Sequence, residues 1–383
     1  MTSAEIQAAL AEAPEDELVR VELDEAQKRK RTGWGRIIAI VASVAVVAGV
    51  FAFALPKIAD YGEVWGVVKG LSWQWILVLV GAVCLDVGTY APPWMAALPG
   101  LSYQHGTRVT LASTALSAVA PGGPAVGMAT SFTMLKAWGF EGRPVGLAVA
   151  VTSVWNQLVV LGVPIIAVAA MVAQGDRNKT VELVALIALA VFAVMVIGFS
   201  IGLTSARLAR RLGDRAARTA NWFKGLFHKA PVKWNGEAFV RFRTETIELI
   251  RRRWAFLTFG TLANHLTVFI VLVASLRAVG VPTGHVTMVE AFAAWALARV
   301  LGSIPLTPGG VGFVELGLTG ALVAFGASNA EAVAATLIYR FLTIVPMIVL
   351  GLIAASTWKV GRRPAKSSST KEAASHDRVG RGG

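Results

Sequence analysis

The chain has 383 residues, of which 55% are hydrophobic and only 15% are charged, and its formal net charge is +13. Its mean hydropathy of +0.62 lies well outside the range of soluble proteins, which excludes a soluble core as the main structure and indicates a polytopic membrane protein. The one cysteine, Cys84, excludes a disulfide framework and a thiolate metal site, and the five histidines show no ligand spacing. We therefore predict an all-α membrane protein with no metal and no cofactor.

The amino-terminal tail, residues 1–33, carries eight acidic and five basic residues and ends in the sequence KRKR shortly before the first apolar segment. This pattern predicts an uncleaved anchor whose amino terminus lies in the cytoplasm. The first apolar segment, residues 36–55, is long enough to cross the hydrocarbon. Residues 57–73, which follow, mix charged and aromatic side chains and fit either a short amphipathic helix in the outer interface or a plain loop.

Five further apolar segments have the length of membrane spans, and they are residues 73–90, 145–173, 181–203, 255–276 and 332–356. Together with residues 36–55 they predict about six full spans. Asp86 lies near the end of its segment and precedes two prolines, so we favour an interfacial position for it. At mid-membrane it would cost about 2.5–3.5 kcal/mol to insert.

The sequence PGGVGFVE, residues 308–315, interrupts an apolar run that extends from residue 286 to residue 326. Free backbone groups are not tolerated in hydrocarbon, so this break must be packed in protein or line a polar cavity. We therefore take it as a candidate binding site, with Pro308, Gly309, Gly310, Gly312 and Glu315. Glu315 falls where a new helix should begin, so it either caps that helix or pairs with a mobile cation or an arginine.

A second copy of the break, formed by Pro121, Gly122 and Gly123, lies earlier in the chain. Aligned without gaps, residues 121–139 match residues 308–326, and Trp138-Gly139 falls on Phe325-Gly326. Two broken apolar elements in corresponding positions are typical of internally repeated transporters, whose binding site lies between the repeats.

The distribution of charge predicts how each break enters the membrane. Residues 205–253 hold thirteen bases and four acids, so this loop should be cytoplasmic. It reaches the cytoplasm only if residues 109–138 form a re-entrant hairpin rather than one broken span. The second hairpin, residues 286–326, then enters from outside, and the basic tail, residues 357–383, lies inside. The two hairpins therefore form inverted repeats within a membrane domain of residues 34–356.

At these residues the chain resembles the lysylphosphatidylglycerol synthase transmembrane family, also called flippase-like integral membrane proteins. The resemblance rests on PGGVGFVE and on the apolar helix that follows it with Arg340, and it covers roughly residues 73–356. Many members carry an acidic residue and an arginine in the first copy, where this chain has Gly127 and Met128. The resemblance implies a lipid translocase, or a lipid-binding transporter, in the plasma membrane.

Polar side chains inside the predicted spans complete the candidate site. Arg299 and Arg340 should face the interior of the bundle, with Glu315 or Glu290 as partners. They either bind a lipid phosphate or form a structural ion pair. Asn156 is a further candidate ligand, although intramembrane amides such as Asn156 and Asn264 more often join helices.

We expect a non-enzymatic transporter that moves an anionic, aminoacylated or polyprenyl-phosphate-linked lipid between leaflets by alternating access. The alternative is a membrane scaffold or accessory subunit of a separate lipid-modifying synthase or glycosyltransferase. A catalytic domain does not fit, because the largest segment outside the membrane, residues 205–253, is short and no catalytic motif is visible. The basic segments favour anionic lipid headgroups over nucleic acid as partners, unless they reflect topology alone.

Overall fold

The structure is a computed structural model that describes residues 61–119, 123–175, 179–226, 236–303 and 310–358. Within these ranges every regular element is a helix, as predicted. Residues 1–60, the predicted carboxy-terminal tail from residue 359 onward, Pro121, Gly122, Pro308 and Gly309 lie outside the described residues.

The helices of the described ranges are numbered in chain order. They are α1 (Tyr61–Lys69), α2 (Trp73–Gly88), α3 (Pro92–Ala97), α4 (Tyr103–Val119), α5 (Gly123–Ala137), α6 (Gly142–Ala173), α7 (Lys179–Thr204), α8 (Ala206–Leu226), α9 (Gly236–Ala278), α10 (Met288–Ser303), α11 (Phe313–Ala324) and α12 (Asn329–Thr357). Helix α1 falls in the segment for which the sequence allowed either an amphipathic helix or a loop.

Four stretches of the described chain are long and apolar enough to cross a membrane, and they are Trp73–Ala97, Gly142–Ala173, Gly236–Ala278 and Asn329–Thr357. A fifth is added if the bent pair Leu189–Ile201 and Ala206–Trp222 is counted as one span. The protein is thus an all-helical membrane protein with several spans.

Helix α9 begins earlier than the sequence predicted. It has 43 residues from Gly236 to Ala278, whereas we expected a span only from residue 255. Residues 236–278 contain no proline, and Gly260 is the only glycine inside the helix. One helix therefore continues from the basic segment into the apolar segment. At 1.5 Å per residue it is about 65 Å long, roughly twice the thickness of the hydrocarbon.

Helix α8 packs on the start of α9 and forms an arm with it. A Cβ on Gly213 would lie 2.8 Å from the Phe239 ring, so the two helices approach closely at this glycine. Asp214 Oδ1 accepts a hydrogen bond of 2.8 Å from the Gly236 N–H, which satisfies a free donor at the start of α9. Arg243 donates to the Leu203 carbonyl oxygen at 2.6 Å and so binds the end of α7. The described part of the basic segment, on both sides of residues 227–235, is therefore helical.

The repeat predicted around the two breaks extends over three helices in each half. Helix α6 begins at Gly142 and α12 begins at Asn329, 187 residues later, and the same offset relates the last residues of α5 and α11. Two residues after the end of each of α5 and α11 lies a glycine with positive φ, Gly139 at +95° and Gly326 at +112°. Such a residue terminates a helix at little cost because glycine has no Cβ.

The third helix of each repeat packs against the other repeat. Helix α12 contacts α4, and in the same way α6 contacts α10. The approach is closest at Gly351, where a Cβ would collide with the Leu111 carbonyl oxygen and the Ala115 side chain. Small residues allow this close packing, which replaces the hydrophobic driving force that helices lack in lipid. The two breaks are therefore held in one body by α6 and α12.

Candidate functional site

The second break joins two antiparallel helices. Gly310 adopts φ +66°, and Gly312, the residue before α11, adopts φ +93°. A Cβ on Gly310 would lie 2.9 Å from the Gly302 Cα and 3.0 Å from Val314 Cγ2. The backbone conformation of Gly310 and its close contacts therefore each disfavour a side chain at this position.

Glu315 combines the two roles that the sequence left open. Its Oε2 accepts a hydrogen bond of 2.6 Å from the Gly312 N–H and caps α11. Its Oε1 accepts a hydrogen bond of 2.6 Å from Arg340 Nε on α12. The Glu315 side chain is 2% exposed and that of Arg340 14% exposed, so this is a buried ion pair that fixes the start of α11 to α12.

The first break has a similar shape without the charges. A Cβ on Gly123 would collide with the Ser117 carbonyl oxygen, and one on Gly127 would lie 2.9 Å from the Ser113 carbonyl oxygen. These two contacts run in opposite directions along α4 and α5, so the helices form an antiparallel pair. The positions 187 residues before Glu315 and Arg340 hold Met128 and Ser153, so the ion pair belongs to the second repeat alone.

Arg299 on α10 has a different environment from Arg340. Its Nη2 lies 3.1 Å from His265 Nδ1 on α9, and His265 Nε2 lies 3.1 Å from Asn156 Oδ1 on α6. A guanidinium can only donate, so Nδ1 accepts and the hydrogen of the neutral imidazole is on Nε2, where it is donated to Asn156. The buried Arg299 Nε has no hydrogen-bond partner among the described residues.

Asp86 on α2 is only 5% exposed and faces α9, while its interfacial depth in the membrane stays a prediction. The Tyr90 hydroxyl donates to Asp86 Oδ2 at 2.8 Å, and Thr267 Oγ1 donates to Oδ1 at 2.9 Å. Asn264 Nδ2 donates to Thr89 Oγ1 at 3.2 Å, and Thr89 in turn contacts Thr267. Asn264 and Thr267 therefore join α9 to the end of α2.

Glu290 was predicted as an alternative partner for the arginines, and this prediction is wrong. Glu290 Oε2 accepts hydrogen bonds from the N–H and the hydroxyl of Thr287, at 2.7 and 2.8 Å. It thereby caps the first turn of α10. Arg299 lies near the opposite end of the same helix, so the two side chains do not meet. The spacing from Thr287 to Glu290 is that of a capping box, a signal present in the sequence.

Helix α9 connects these groups, since it carries Asn264, His265 and Thr267 within about one turn. Asp86, Tyr90 and Thr267 are not among the ligands predicted from the sequence. They belong to the same polar region as Arg299, because Thr267, which contacts Asp86, lies on the same turn of α9 as His265, which contacts Arg299. The structure thus brings Asn156 and Arg299 together through His265, and Glu315 together with Arg340, in two separate clusters. Gly310, Gly312 and Gly123 border the helix breaks.

The fold and the site define a class of protein, a multi-pass helical membrane protein with two broken helix pairs and a buried cluster of polar and charged groups. The family model of the lysylphosphatidylglycerol synthase TM region matches residues 40–351, so the chain belongs to this family, as its sequence suggested. It is a membrane-embedded protein of lipid metabolism or transport. A comparison with curated protein sequences gives no match.

Proposed function

We propose that the protein moves an anionic lipid between the two leaflets of the plasma membrane and that Arg299 binds the lipid phosphate. The proposal covers anionic phospholipids and polyprenyl-phosphate-linked lipids. It extends to aminoacylated phospholipids, which are not anionic overall but keep the phosphate that Arg299 would bind. The proposal rests on the environment of Arg299. Its guanidinium lies inside the bundle and has no carboxylate within ion-pair distance among the described residues.

A buried cation without a paired anion is costly, and such a group is retained in membrane proteins where it serves a function. Arg340 already has its carboxylate, Glu315, whereas the only side chain that Arg299 contacts by hydrogen bonding in the described chain is a neutral histidine. The free Arg299 Nε would add a second donor for a phosphate oxygen. We therefore assign the headgroup to Arg299 and a structural role to Arg340.

The repeated helices support a mechanism of alternating access. We propose that α4–α5 and α10–α11 are re-entrant hairpins that enter from opposite sides, because the basic segment 205–253 would otherwise lie outside the cytoplasm. Both termini are then cytoplasmic. In transporters with such inverted repeats, one repeat moves against the other around a site near the midplane. The reciprocal packing of α6 on α10 and of α12 on α4 supplies the contacts across which this movement would occur.

We propose that the exposed bases of α8, among them Arg207, Arg211 and Arg215, contact anionic headgroups at the cytoplasmic surface. We also propose that the lipid leaves the protein chemically unchanged. In the described part of residues 205–253, the chain forms α8 and the start of α9, a two-helix arm that is smaller than the usual catalytic domain.

The test is movement of labelled lipids in vesicles that contain only the purified protein. Labelled phosphatidylglycerol, lysyl-phosphatidylglycerol and phosphatidylcholine are compared in the wild type, in Arg299→Ala and in the control Gly320→Ala. A Cβ on Gly320 meets no atom within 4 Å, so this control should behave as the wild type. We expect movement of at least one phosphate lipid, with a loss of about tenfold or more in Arg299→Ala, since hydrogen bonds to charged groups contribute about 1.5–3 kcal/mol. Absence of movement for every lipid would reject the transporter and leave the scaffold function.

A further inference from the structure

We propose that Asp86 is the site of a coupling proton, so that one proton accompanies each anionic lipid through the protein. This inference rests on the proposed function, because it requires that Arg299 binds the lipid phosphate. It adds an energy source and a second ligand, the proton, which neither the family nor the transport function specifies.

The carboxyl group of Asp86 is buried and has no paired cation among the described residues. Asp86 is 5% exposed, and no lysine, arginine or histidine lies within ion-pair distance of it among the described residues. Its two oxygens instead accept from the hydroxyls of Tyr90 and Thr267. A buried carboxylate without a paired cation is held at a high free energy, which protonation relieves.

The hydrogen-bond network around Asp86 has fewer hydroxyl protons than acceptors. The Thr267 hydroxyl has one proton, yet its oxygen lies 2.9 Å from Asp86 Oδ1, 2.9 Å from the Asn264 carbonyl oxygen and 3.0 Å from Thr89 Oγ1. The Thr89 hydroxyl lies 2.8 Å from the Asp86 carbonyl oxygen and can donate its own proton there. The network therefore has more acceptors than protons.

One added proton supplies one of the missing hydrogens without any movement of heavy atoms. If it binds to Asp86 Oδ1, the carboxylic acid donates to Thr267 Oγ1, and Thr267 then donates to the Asn264 carbonyl oxygen. Tyr90 continues to donate to Asp86 Oδ2. The hydroxyl of Thr267 thus accommodates both the ionised and the protonated carboxyl group, as a proton site that loads and unloads requires.

The charges of Asp86 and Arg299 interact electrostatically although the two side chains form no ion pair. While Asp86 is ionised, its negative charge offsets that of Arg299 and weakens the binding of a phosphate. Protonation of Asp86 removes this competition, so the proton and the anionic lipid favour each other's binding, and by reciprocity each raises the affinity for the other.

Other titratable or charged groups that interact with Asp86 are Tyr90 beside α2, Arg299 on α10 and Tyr339 on α12. His265 on α9 is in contact with Arg299. Arg299 keeps its charge, and the contact between its donors and Nδ1 keeps His265 neutral. A carboxyl group is thus the one member of this set suited to exchange a proton at ordinary pH.

The test measures which gradient drives labelled phosphatidylglycerol in sealed vesicles. A proton and a singly charged lipid move together without net charge, so the wild type should respond to a pH gradient and not to a membrane potential. A difference of one pH unit should shift the leaflet ratio by up to about tenfold, since one unit is equivalent to about 1.36 kcal/mol. Asp86→Asn, in which the amide imitates the protonated acid, should reverse this behaviour and respond to the potential and not to the pH gradient.

The coupling proton is refuted if the wild type moves lipid independently of the pH gradient, or in response to a sodium gradient instead. The proposed transport function would remain valid in either case. Absence of any lipid movement overturns the transport function itself. Infrared difference spectra of lipid-free protein, recorded between neutral and mildly acidic pH, test Asp86 separately. We expect a carboxylic-acid band that is missing in Asp86→Asn and shifted in Thr267→Val, and a spectrum without such a band overturns the proposal.

Discussion

Substitutions in the ion pair between Glu315 and Arg340 test whether Arg340 stabilises the fold, as distinct from binding the lipid. Arg340→Ala leaves the Glu315 carboxylate, which is 2% exposed, with only the Gly312 N–H as a donor among the contacts described above. Removing one partner of a buried ion pair typically costs about 3–5 kcal/mol, because the remaining charge stays desolvated. We therefore expect the free energy of unfolding to fall by about this amount.

The measurement is unfolding by sodium dodecyl sulfate in mixed micelles, followed by circular dichroism. The double variant Glu315→Gln and Arg340→Met provides the matched control. The glutamine oxygen still accepts from the Gly312 N–H, and both charges are removed, so most of the lost stability should return. An unchanged free energy of unfolding in Arg340→Ala would refute the structural role, and a double variant that is as unstable as Arg340→Ala would refute its electrostatic basis.

Three further predictions follow from the same contacts. Arg299→Ala, which breaks no ion pair, should lower the free energy of unfolding less than Arg340→Ala does while it abolishes most lipid movement, and equal losses of stability and movement would contradict this. Gly310→Ala should destabilise the protein because of its φ of +66° and the 2.9 Å approach to Gly302, whereas Gly320→Ala should not, as thermal unfolding of both purified variants will show. In a Cys84→Ser background, a cysteine at Arg215 should react with membrane-impermeant reagents only from the cytoplasmic side. A cysteine at the exposed Gln174 should react only from outside, and the reverse pattern would reject the topology.

Local features of the fold could be predicted from the sequence. The PGG repeats, the helix ends at Gly139 and Gly326 and the cap formed by Glu315 each depend on residues within one or two turns of each other. The same reasoning applies to Thr287 and Glu290, whose capping box we assigned to an ion pair because we considered only the depth of the charge. The sequence therefore contains enough information to predict a contact when both residues lie within one or two helical turns of each other.

Contacts between distant segments could not be predicted in this way. Asp86 and Thr267 are 181 residues apart, and nothing in either segment indicates that α9 lies beside the end of α2. For the same reason His265 was not recognised as the neighbour of Arg299, since the choice among several carboxylates and imidazoles depends on how the helices pack. The start of α9 was missed for a different reason, because hydropathy marks where a span enters lipid and not where its helix begins.

The central claim is that the protein itself moves an anionic lipid and uses Arg299 to bind it. The most direct measurement is the rate at which labelled phosphatidylglycerol crosses vesicles that contain purified wild-type protein, compared with empty vesicles and with vesicles that contain Arg299→Ala at equal amount. We predict a rate above that of empty vesicles for the wild type and a rate close to that of empty vesicles for Arg299→Ala. A wild-type rate equal to that of empty vesicles, or an Arg299→Ala rate equal to that of the wild type, would contradict the claim.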